Sequence, residues 1–228
     1  QAATGFGVNL ILVRYLLPEE FGHFALIMAG AVLVYAVFSL RFDVLIIRAS
    51  DEYFTNHRQD IYFNASILET LLSSALLVGW LIFFDDMGAW EIGLITALGI
   101  RHWTGYNKAF FERTMPFSKL AVLETLVSIG GSVVALVFLY FGFGAKILYI
   151  REFFLSLAGL IGLWWIGGLT IRRISFPRLV DWKNLLLEIR GIWLDGMLEN
   201  SFNRIVILLV GFLGGERTVG FFVQAQRL

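Results

Sequence analysis

Long apolar runs without charged residues constrain the fold of this chain more than any other feature. Runs of about 20 residues without Asp, Glu, Lys or Arg occupy Phe21–Leu40, Thr125–Ala145 and Phe153–Ile171. A helix of about 20 residues crosses the hydrocarbon core of a bilayer, which is roughly 30 Å thick. Membrane β-strands would instead alternate between apolar and polar residues. The sequence therefore predicts an all-α, polytopic transmembrane helix bundle.

Further segments bring the predicted spans to eight. Ala2–Leu17 and Tyr62–Phe84 are apolar apart from isolated polar residues, whereas Met87–Phe111 and Ile192–Leu213 contain several charged ones. Val219–Leu228 would begin the eighth helix. The composition agrees, since 58% of the residues are hydrophobic and only 16% are charged. A soluble domain would carry about 25% charged residues.

The distribution of basic residues supports this alternation of spans. Short loops on the cytoplasmic side of a membrane are enriched in Lys and Arg. With the N-terminus inside, the opposite loops have an acidic character that comes from residues such as Glu19, Glu20 and Glu216. The basic residues of the inner loops are Arg48, Arg58, Lys108, Arg113, Lys119, Arg172, Arg173, Arg178, Lys183 and Arg190. We therefore predict a cytoplasmic N-terminus and place both charged segments in the membrane.

Residues 172–190 differ from the spans because their apolar side chains follow one helical stripe. Leu179, Trp182, Leu186 and Ile189 lie on that stripe, with polar residues on another. This pattern predicts a linker helix in the inner membrane interface, with a solvated connecting helix as the alternative. The linker would separate a six-helix lobe, residues 1–171, from the start of a second lobe, residues 191–228. Because the chain lacks an initiator Met and ends inside an apolar run, we expect both ends to be truncated.

A short motif near the start of the chain recurs near its end. Both copies contain a Leu-Val pair, a second Leu, a Glu, a Gly and a Phe in the same order, with one residue inserted in the second copy. The copies are Leu12, Val13, Leu16, Glu19, Gly22 and Phe24, and Leu209, Val210, Leu213, Glu216, Gly220 and Phe222. Internal repeats are typical of transporters, and chance similarity is the alternative. A true repeat would mean that the second lobe begins near the seventh span.

Four parts of the chain carry a family resemblance. They are Arg14–Ala25 at the first hairpin, Glu112–Phe117 before the fifth span, Gly142–Ala145 after it, and Gly211–Gly214 with Gly220–Leu228 near the end. In this order and topology they resemble the N-terminal half of the polysaccharide transporter family. The members of that family are the lipid-linked oligosaccharide flippases of the multidrug/oligosaccharidyl-lipid/polysaccharide exporter superfamily.

The resemblance implies two six-helix lobes around a central cavity that opens alternately to each side of the bacterial cytoplasmic membrane. This chain would supply the first lobe and the entry to the second. The implied activity is the flipping of undecaprenyl-pyrophosphate-type saccharide precursors, such as those of O-antigen and lipopolysaccharide. The implied partners are the lipid-linked saccharide, membrane lipids and a coupling ion, H⁺ or Na⁺.

Ionisable residues within the predicted spans are the candidates for this chemistry, because charge in hydrocarbon is costly unless it is paired or faces water. Arg meets a pyrophosphate with a planar, permanently charged fork. We therefore expect Arg41, Arg101 and Arg204 to bind the substrate, with Arg48 nearer the inner mouth. The alternative for the first three is structural pairing with Asp43, Glu69 or Glu124 inside the bundle, or snorkelling to the interface. For Arg48 the alternative is anchoring.

Carboxylates at similar depth are the candidates for ion coupling, since desolvation favours their protonated form. We expect Asp43, Glu124, Asp195 and Glu199 to serve this role. Asp195 and Glu199 lie one helical turn apart on a broad polar face. The alternative for these two is an interfacial turn that continues the linker helix.

Several function classes lack support in the sequence. The chain has no cysteine, and no catalytic triad, phosphate-cradling loop or metal-ligand spacing emerges, so we expect no cofactor. A net charge of zero argues against a nucleic-acid partner. A drug or small-cation exporter of the same superfamily remains an alternative, although it would favour acidic cavity residues without matching basic ones. A membrane-embedded saccharide polymerase or ligase is a further alternative, although such enzymes usually carry a large outer loop.

Overall fold

The computed structural model describes residues 2–83, 88–114, 117–174 and 179–226. Within these ranges the chain forms helices and no strand. The helices are α1 (Ala2–Tyr15), α2 (Pro18–Phe38), α3 (Phe42–Arg48), α4 (Asn56–Phe83), α5 (Ala89–Thr114), α6 (Phe117–Tyr140), α7 (Lys146–Trp165) and α8 (Leu179–Gln226). The expected all-α polytopic bundle is confirmed.

Five helices in the described ranges are long and apolar enough to cross a membrane, namely α2, α4, α6, α7 and α8. Two further predicted spans are less apolar or shorter. The described α1 has 14 residues, and α5 carries charged residues along its length. α5 nevertheless lies inside the bundle, because it packs against α3, α4 and α7. Its buried side chains include Leu94, Ala97 and Tyr106.

Local sequence explains where the first two helices meet. Pro18 occupies the first turn of α2, where its missing N–H costs nothing. Glu19 and Glu20 follow in the same turn, where carboxylates face the positive end of the helix dipole. Glu20 also accepts a hydrogen bond of 3.2 Å from the backbone N–H of Leu17. The turn between α1 and α2 is therefore set by residues within four positions of it.

The bundle has two ends that differ in structure. The hairpin end contains the turns at Leu16–Pro18 and Phe141–Ala145 and the bend at Gly215. The turn between α6 and α7 depends on Gly142 and Gly144, whose φ angles are +76° and +58°. The linker end contains α3, the segment 49–55 and the segment 166–174.

α8 departs from the predicted boundaries. Its first arm, 179–214, is continuous, so the predicted linker helix and the seventh span are one helix. The chain then bends at Gly215, whose φ is +72°. The second arm, 216–226, folds back on the first, and this brings Val219 beside Gly211. No proline interrupts the first arm, and an amphipathic pattern alone does not mark a helix end.

Two other helix ends differ from the predicted spans. α2 ends at Phe38, so Arg41 and Asp43 lie beyond it rather than inside the second span. α7 ends at Trp165, and Gly167 adopts a φ of +79° in the non-helical segment that follows. In both places apolar residues continue past the helix end. Leu40 and Ile166 are half-buried there, whereas Ile171 is largely exposed, so an apolar sequence alone does not keep these segments helical.

The two copies of the sequence motif pack against each other at the hairpin end. A Cβ atom on Gly22 would overlap the backbone oxygen of Glu216, and one on Gly220 would overlap the backbone oxygen of Pro18. The glycine of each copy therefore contacts the turn of the other. The motif thus marks a reciprocal contact between α2 and the second arm of α8.

Candidate functional site

A cavity of about 510 Å³ lies between α2, α3, α5 and α8. It extends from the middle of α2 toward the linker end. Its polar and charged lining consists of Tyr35, Ser39, Arg41, Asp43, Arg101, His102, Tyr106, Lys108, Glu112 and Arg204. This volume falls in the range of ligand-binding pockets, about 300–1,000 Å³. The cavity therefore brings charged residues from separate helices to one ligand-sized space.

Cations outnumber carboxylates in this lining, four to two. Most of the cations already have partners. Arg41 Nε lies 3.7 Å from Asp43 Oδ1, and Lys108 Nζ lies 3.7 Å from Glu112 Oε1. Arg204 on α8 is half-buried and forms no ion pair with any described residue. The cavity therefore contains one guanidinium without a counter-charge, which could pair with an anionic ligand.

Arg41 stands at a break in the chain between α2 and α3. It is the one non-glycine residue in the described ranges with a positive φ, +53°. For an L-residue this conformation costs about 1–2 kcal/mol. Its side chain packs closely against Gly196 of α8, where an added Cβ would overlap the guanidinium. Glycine at 196 therefore makes room for the arginine at the cavity wall.

Arg101 and Lys108 connect the cavity to a second cleft of about 460 Å³ between α5, α6 and α7. Arg101 Nη1 lies 2.9 Å from Glu152 Oε2 on α7. Lys108 is paired with Glu124 on α6. The predicted ion-coupling residue Glu124 thus lines the second cleft and faces a cation. The pairs link α5 to α6 and α7 across the cleft.

The other predicted site residues lie outside both spaces. Arg48 is exposed at the last residue of α3. Asp195 and Glu199 are exposed on α8 and form no ion pair with a described residue. Their predicted roles in substrate binding and ion coupling remain predictions. The chain therefore gathers Arg41, Asp43, Arg101 and Arg204 around one cavity but leaves these three apart.

A known protein family matches almost the whole chain. The family of polysaccharide biosynthesis proteins matches residues 11–228. The chain belongs to this family. The resemblance drawn from its four sequence segments is thereby confirmed, and so is a role in polysaccharide biosynthesis as a membrane protein. Comparison with curated proteins and with solved structures yields no match.

Two acidic or basic residues of the cavity in this polysaccharide biosynthesis protein, Lys108 and Glu112, are not among the predicted site residues. The distribution of basic residues places Lys108 in an inner loop, and Glu112 lies in one of the segments that carry the family resemblance. Arg101, Gly105, Lys108 and Glu112 recur at steps of three or four residues along α5. That spacing places them on one helical face, so the pattern could have identified the cavity wall.

The alternative that the arginines form structural ion pairs with Asp43, Glu69 or Glu124 is only partly met. Asp43 pairs with Arg41, as that alternative predicts, whereas Glu69 forms no ion pair with an arginine in the part of the chain that the structure describes. Its partners are His102 and Tyr106 of α5. The spacing of His102 and Tyr106, four residues apart, was the available signal for a shared partner.

Proposed function

We propose that this chain belongs to a flippase that moves lipid-linked saccharide precursors across the bacterial cytoplasmic membrane. The substrate would be an undecaprenyl-pyrophosphate-type oligosaccharide or polysaccharide intermediate, as in O-antigen synthesis. Its movement would follow alternating access and depend on an ion gradient. The N-terminus would lie in the cytoplasm, which puts the linker end of the bundle on the cytoplasmic side.

The observation that carries this proposal is the cation-rich cavity with the unpaired guanidinium of Arg204. A pyrophosphate needs donors arranged for bidentate contact, which arginine supplies. Arg41 and Arg101 stand around the same space and hold only single-contact ion pairs. Exchanging those partners for a pyrophosphate would keep each guanidinium hydrogen-bonded. The cavity chemistry therefore favours an anionic headgroup.

The packing at the two ends supports alternating access. Backbone contacts through Gly22 and Gly220 fill the hairpin end. The cavity occupies the linker-end half, where Ile47 and Arg101 are exposed. A headgroup would enter from the linker end and meet a barrier at the hairpin end. Transport then requires the contact between α2 and α8 to open.

The excess of cations disfavours an exporter of cationic drugs. Such a transporter would need carboxylates without matching basic residues, whereas Asp43 and Glu112 each have a cation beside them in this cavity. A saccharide polymerase or ligase is the remaining alternative. It would lengthen the saccharide, and a flippase would only change the leaflet in which the saccharide resides.

The test is transport by the intact protein in proteoliposomes that contain a lipid-linked saccharide. We expect Arg204→Ala to lower the flipping rate about tenfold or more, because a hydrogen bond to a charged group contributes about 1.5–3 kcal/mol. Arg204→Lys keeps the charge but loses the fork, so its rate should be intermediate. The measurement is the fraction of saccharide that reaches the opposite leaflet, read by a membrane-impermeant glycosidase.

The matched control is Arg190→Ala, an exposed arginine on the same helix. It should leave flipping unchanged. If Arg204→Ala flips the saccharide at the wild-type rate when substrate is limiting, Arg204 is not part of the binding site. A longer saccharide product without a change of leaflet would favour the polymerase.

A further inference from the structure

A buried carboxylate lies behind the cavity wall, in the middle of α4. The Glu69 side chain is 4% exposed, and its Oε1 is the centre of a polar cluster. The backbone N–H of Leu40 donates to Oε1 at 3.2 Å and the Tyr106 hydroxyl at 2.8 Å, and His102 Nε2 lies 2.9 Å away. Oε2 is buried and has no hydrogen-bond partner among the described residues. A buried oxygen without a partner is costly, so this carboxyl group is a site where a change of hydrogen bonding has a large effect.

The groups around Glu69 come from each helix that packs against α4. α2 contributes Tyr35, whose hydroxyl bonds Ser74 at 3.1 Å and whose ring centroid lies 4.7 Å from that of His102. The break after α2 contributes Arg41 and Asp43, which pair with each other. α5 contributes His102 and Tyr106. The salt bridge of Glu69 in the described structure is therefore with a histidine, whose charge depends on a proton.

The proton count of the pair follows from this arrangement. With one titratable proton, the pair is neutral, either as imidazolium beside carboxylate or as imidazole beside carboxylic acid. Losing that proton leaves a buried negative charge, and gaining another leaves a buried positive charge. Both cost free energy in a low-dielectric interior. The Glu69–His102 pair is thus suited to hold a single exchangeable proton.

The two partners differ in their access to water. His102 and Tyr106 line the cavity, whereas Glu69 does not. The His102 side chain is 15% exposed. A proton from cavity water can therefore reach the imidazole directly, whereas the carboxylate is reached only through the side chains that line the cavity.

The carboxylate also holds the break between α2 and α3. Glu69 accepts the N–H of Leu40, the residue directly before Arg41 with its left-handed backbone. A neutral carboxyl is a weaker acceptor than a carboxylate. Protonation of Glu69 would therefore loosen the bond that fixes the strained break. Arg41 and Asp43, on the cavity wall, follow immediately in sequence.

We propose that Glu69 and His102 form the proton-coupling site of this transporter, an inference that rests on the proposed flippase activity. A proton from cavity water binds His102 Nδ1, and the Nε2 proton moves to Glu69 Oε1. The imidazole ends neutral and the carboxylate becomes a carboxylic acid, so one proton is taken up and charge is balanced. The hydrogen bond from the Leu40 N–H then weakens, so the backbone at the break between α2 and α3 can change its conformation. Release of the proton reverses these steps.

The experiment compares transport by the intact protein in proteoliposomes with an imposed pH gradient, an imposed Na⁺ gradient or none. For wild type, the pH gradient should drive net accumulation of lipid-linked saccharide in one leaflet. Glu69→Gln, a change at a residue that does not line the cavity, should lose this gradient response and keep saccharide exchange at zero gradient. His102→Gln should also lose the gradient response. Glu69→Gln preserves size and hydrogen bonding, and His102→Gln provides a second variant should the first fail to reach the membrane.

The matched controls are Glu52→Gln and His57→Gln, which remove an exposed carboxylate and an exposed histidine at the linker end. Both should respond to the pH gradient as wild type does. A normal gradient response in either cluster variant would overturn the proposal, as would wild-type transport that follows Na⁺ and ignores pH. Absence of any saccharide movement by the wild type would instead overturn the flippase activity itself.

Discussion

The hairpin end and the linker end of the bundle are held together by different kinds of contact. At the hairpin end, backbones of α2 and α8 touch through Gly22 and Gly220, with no room for a side chain. At the linker end, long side chains span the gaps, as in the ion pairs Arg58–Glu188 at 3.2 Å and Arg172–Asp60 at 2.8 Å. Close backbone packing depends on shape alone. Ionic side chains can exchange partners in water, so the linker end should tolerate change better.

The largest expected effect follows from adding one carbon at the hairpin end. Gly22→Ala places a Cβ in the backbone of Glu216, so α2 and α8 must separate. Overpacking typically costs about 1–3 kcal/mol and occasionally more, and a clash with rigid backbone lies at the upper end of that range. We expect a marked loss of folded protein, measured as the fraction that stays monodisperse on size-exclusion chromatography after heating in detergent.

The control for this substitution is Gly79→Ala on α4. Gly79 has no atom within 4 Å of an added Cβ, and alanine favours a helix over glycine. This variant should be as stable as wild type or slightly more stable. Equal losses in both variants would show that the hairpin end is no more tightly packed than an open helix face.

A smaller effect is expected at the linker end from Arg113→Ala. The Arg113 side chain is 11% exposed, donates to the carbonyl of Ile46 at 2.7 Å and pairs with Asp51 at 2.6 Å. Removing these bonds should lower stability by about 2 kcal/mol, because water can reach part of the vacated site. The same heating assay measures the effect.

Arg173→Ala is the matched control, since Arg173 is exposed in the neighbouring linker-end segment. It should leave the midpoint of the heating curve unchanged. A loss for Arg113→Ala as large as that for Gly22→Ala would contradict the contrast between the two ends.

The smallest effect is expected from the ionic contacts that surround the glycines. Glu19 lies 3.4 Å from Arg217, and both side chains are largely exposed. Pairs of this kind contribute about 0.5 kcal/mol or less. Glu19→Gln should therefore change stability little, and added salt should remove what difference remains. A loss near that of Gly22→Ala would mean that charge, and not backbone fit, closes the hairpin end.

Much of the fold could be predicted because each transmembrane helix satisfies its own backbone hydrogen bonds. Phe21–Leu40 and Thr125–Ala145 are uncharged over the length of a span, and helices occupy most of both. The boundaries were less predictable. Residues 39–40 and 166–171 continue the uncharged runs of their predicted spans, yet they are not helical.

The candidate site was only partly predictable. Arg41, Arg101 and Arg204 could be selected because charge is rare in spans, and all three line one cavity. Asp195 and Glu199 have the same sequence signature but face away from it. Lys108 resembled a loop residue because it lies near a helix end. Residue type and spacing give depth along a helix, but they do not give the direction in which a face points within the bundle.

The sequence by itself determined that this polypeptide forms apolar helices, and it indicated the family. The reason is that bilayer thickness and backbone hydrogen bonding act on each segment separately. Only the tertiary structure decided which side chains meet. Glu69 and His102 are separated by 33 positions, and Gly22 contacts a turn far along the chain at Glu216. Such contacts arise from the packing of whole helices, which no local pattern specifies.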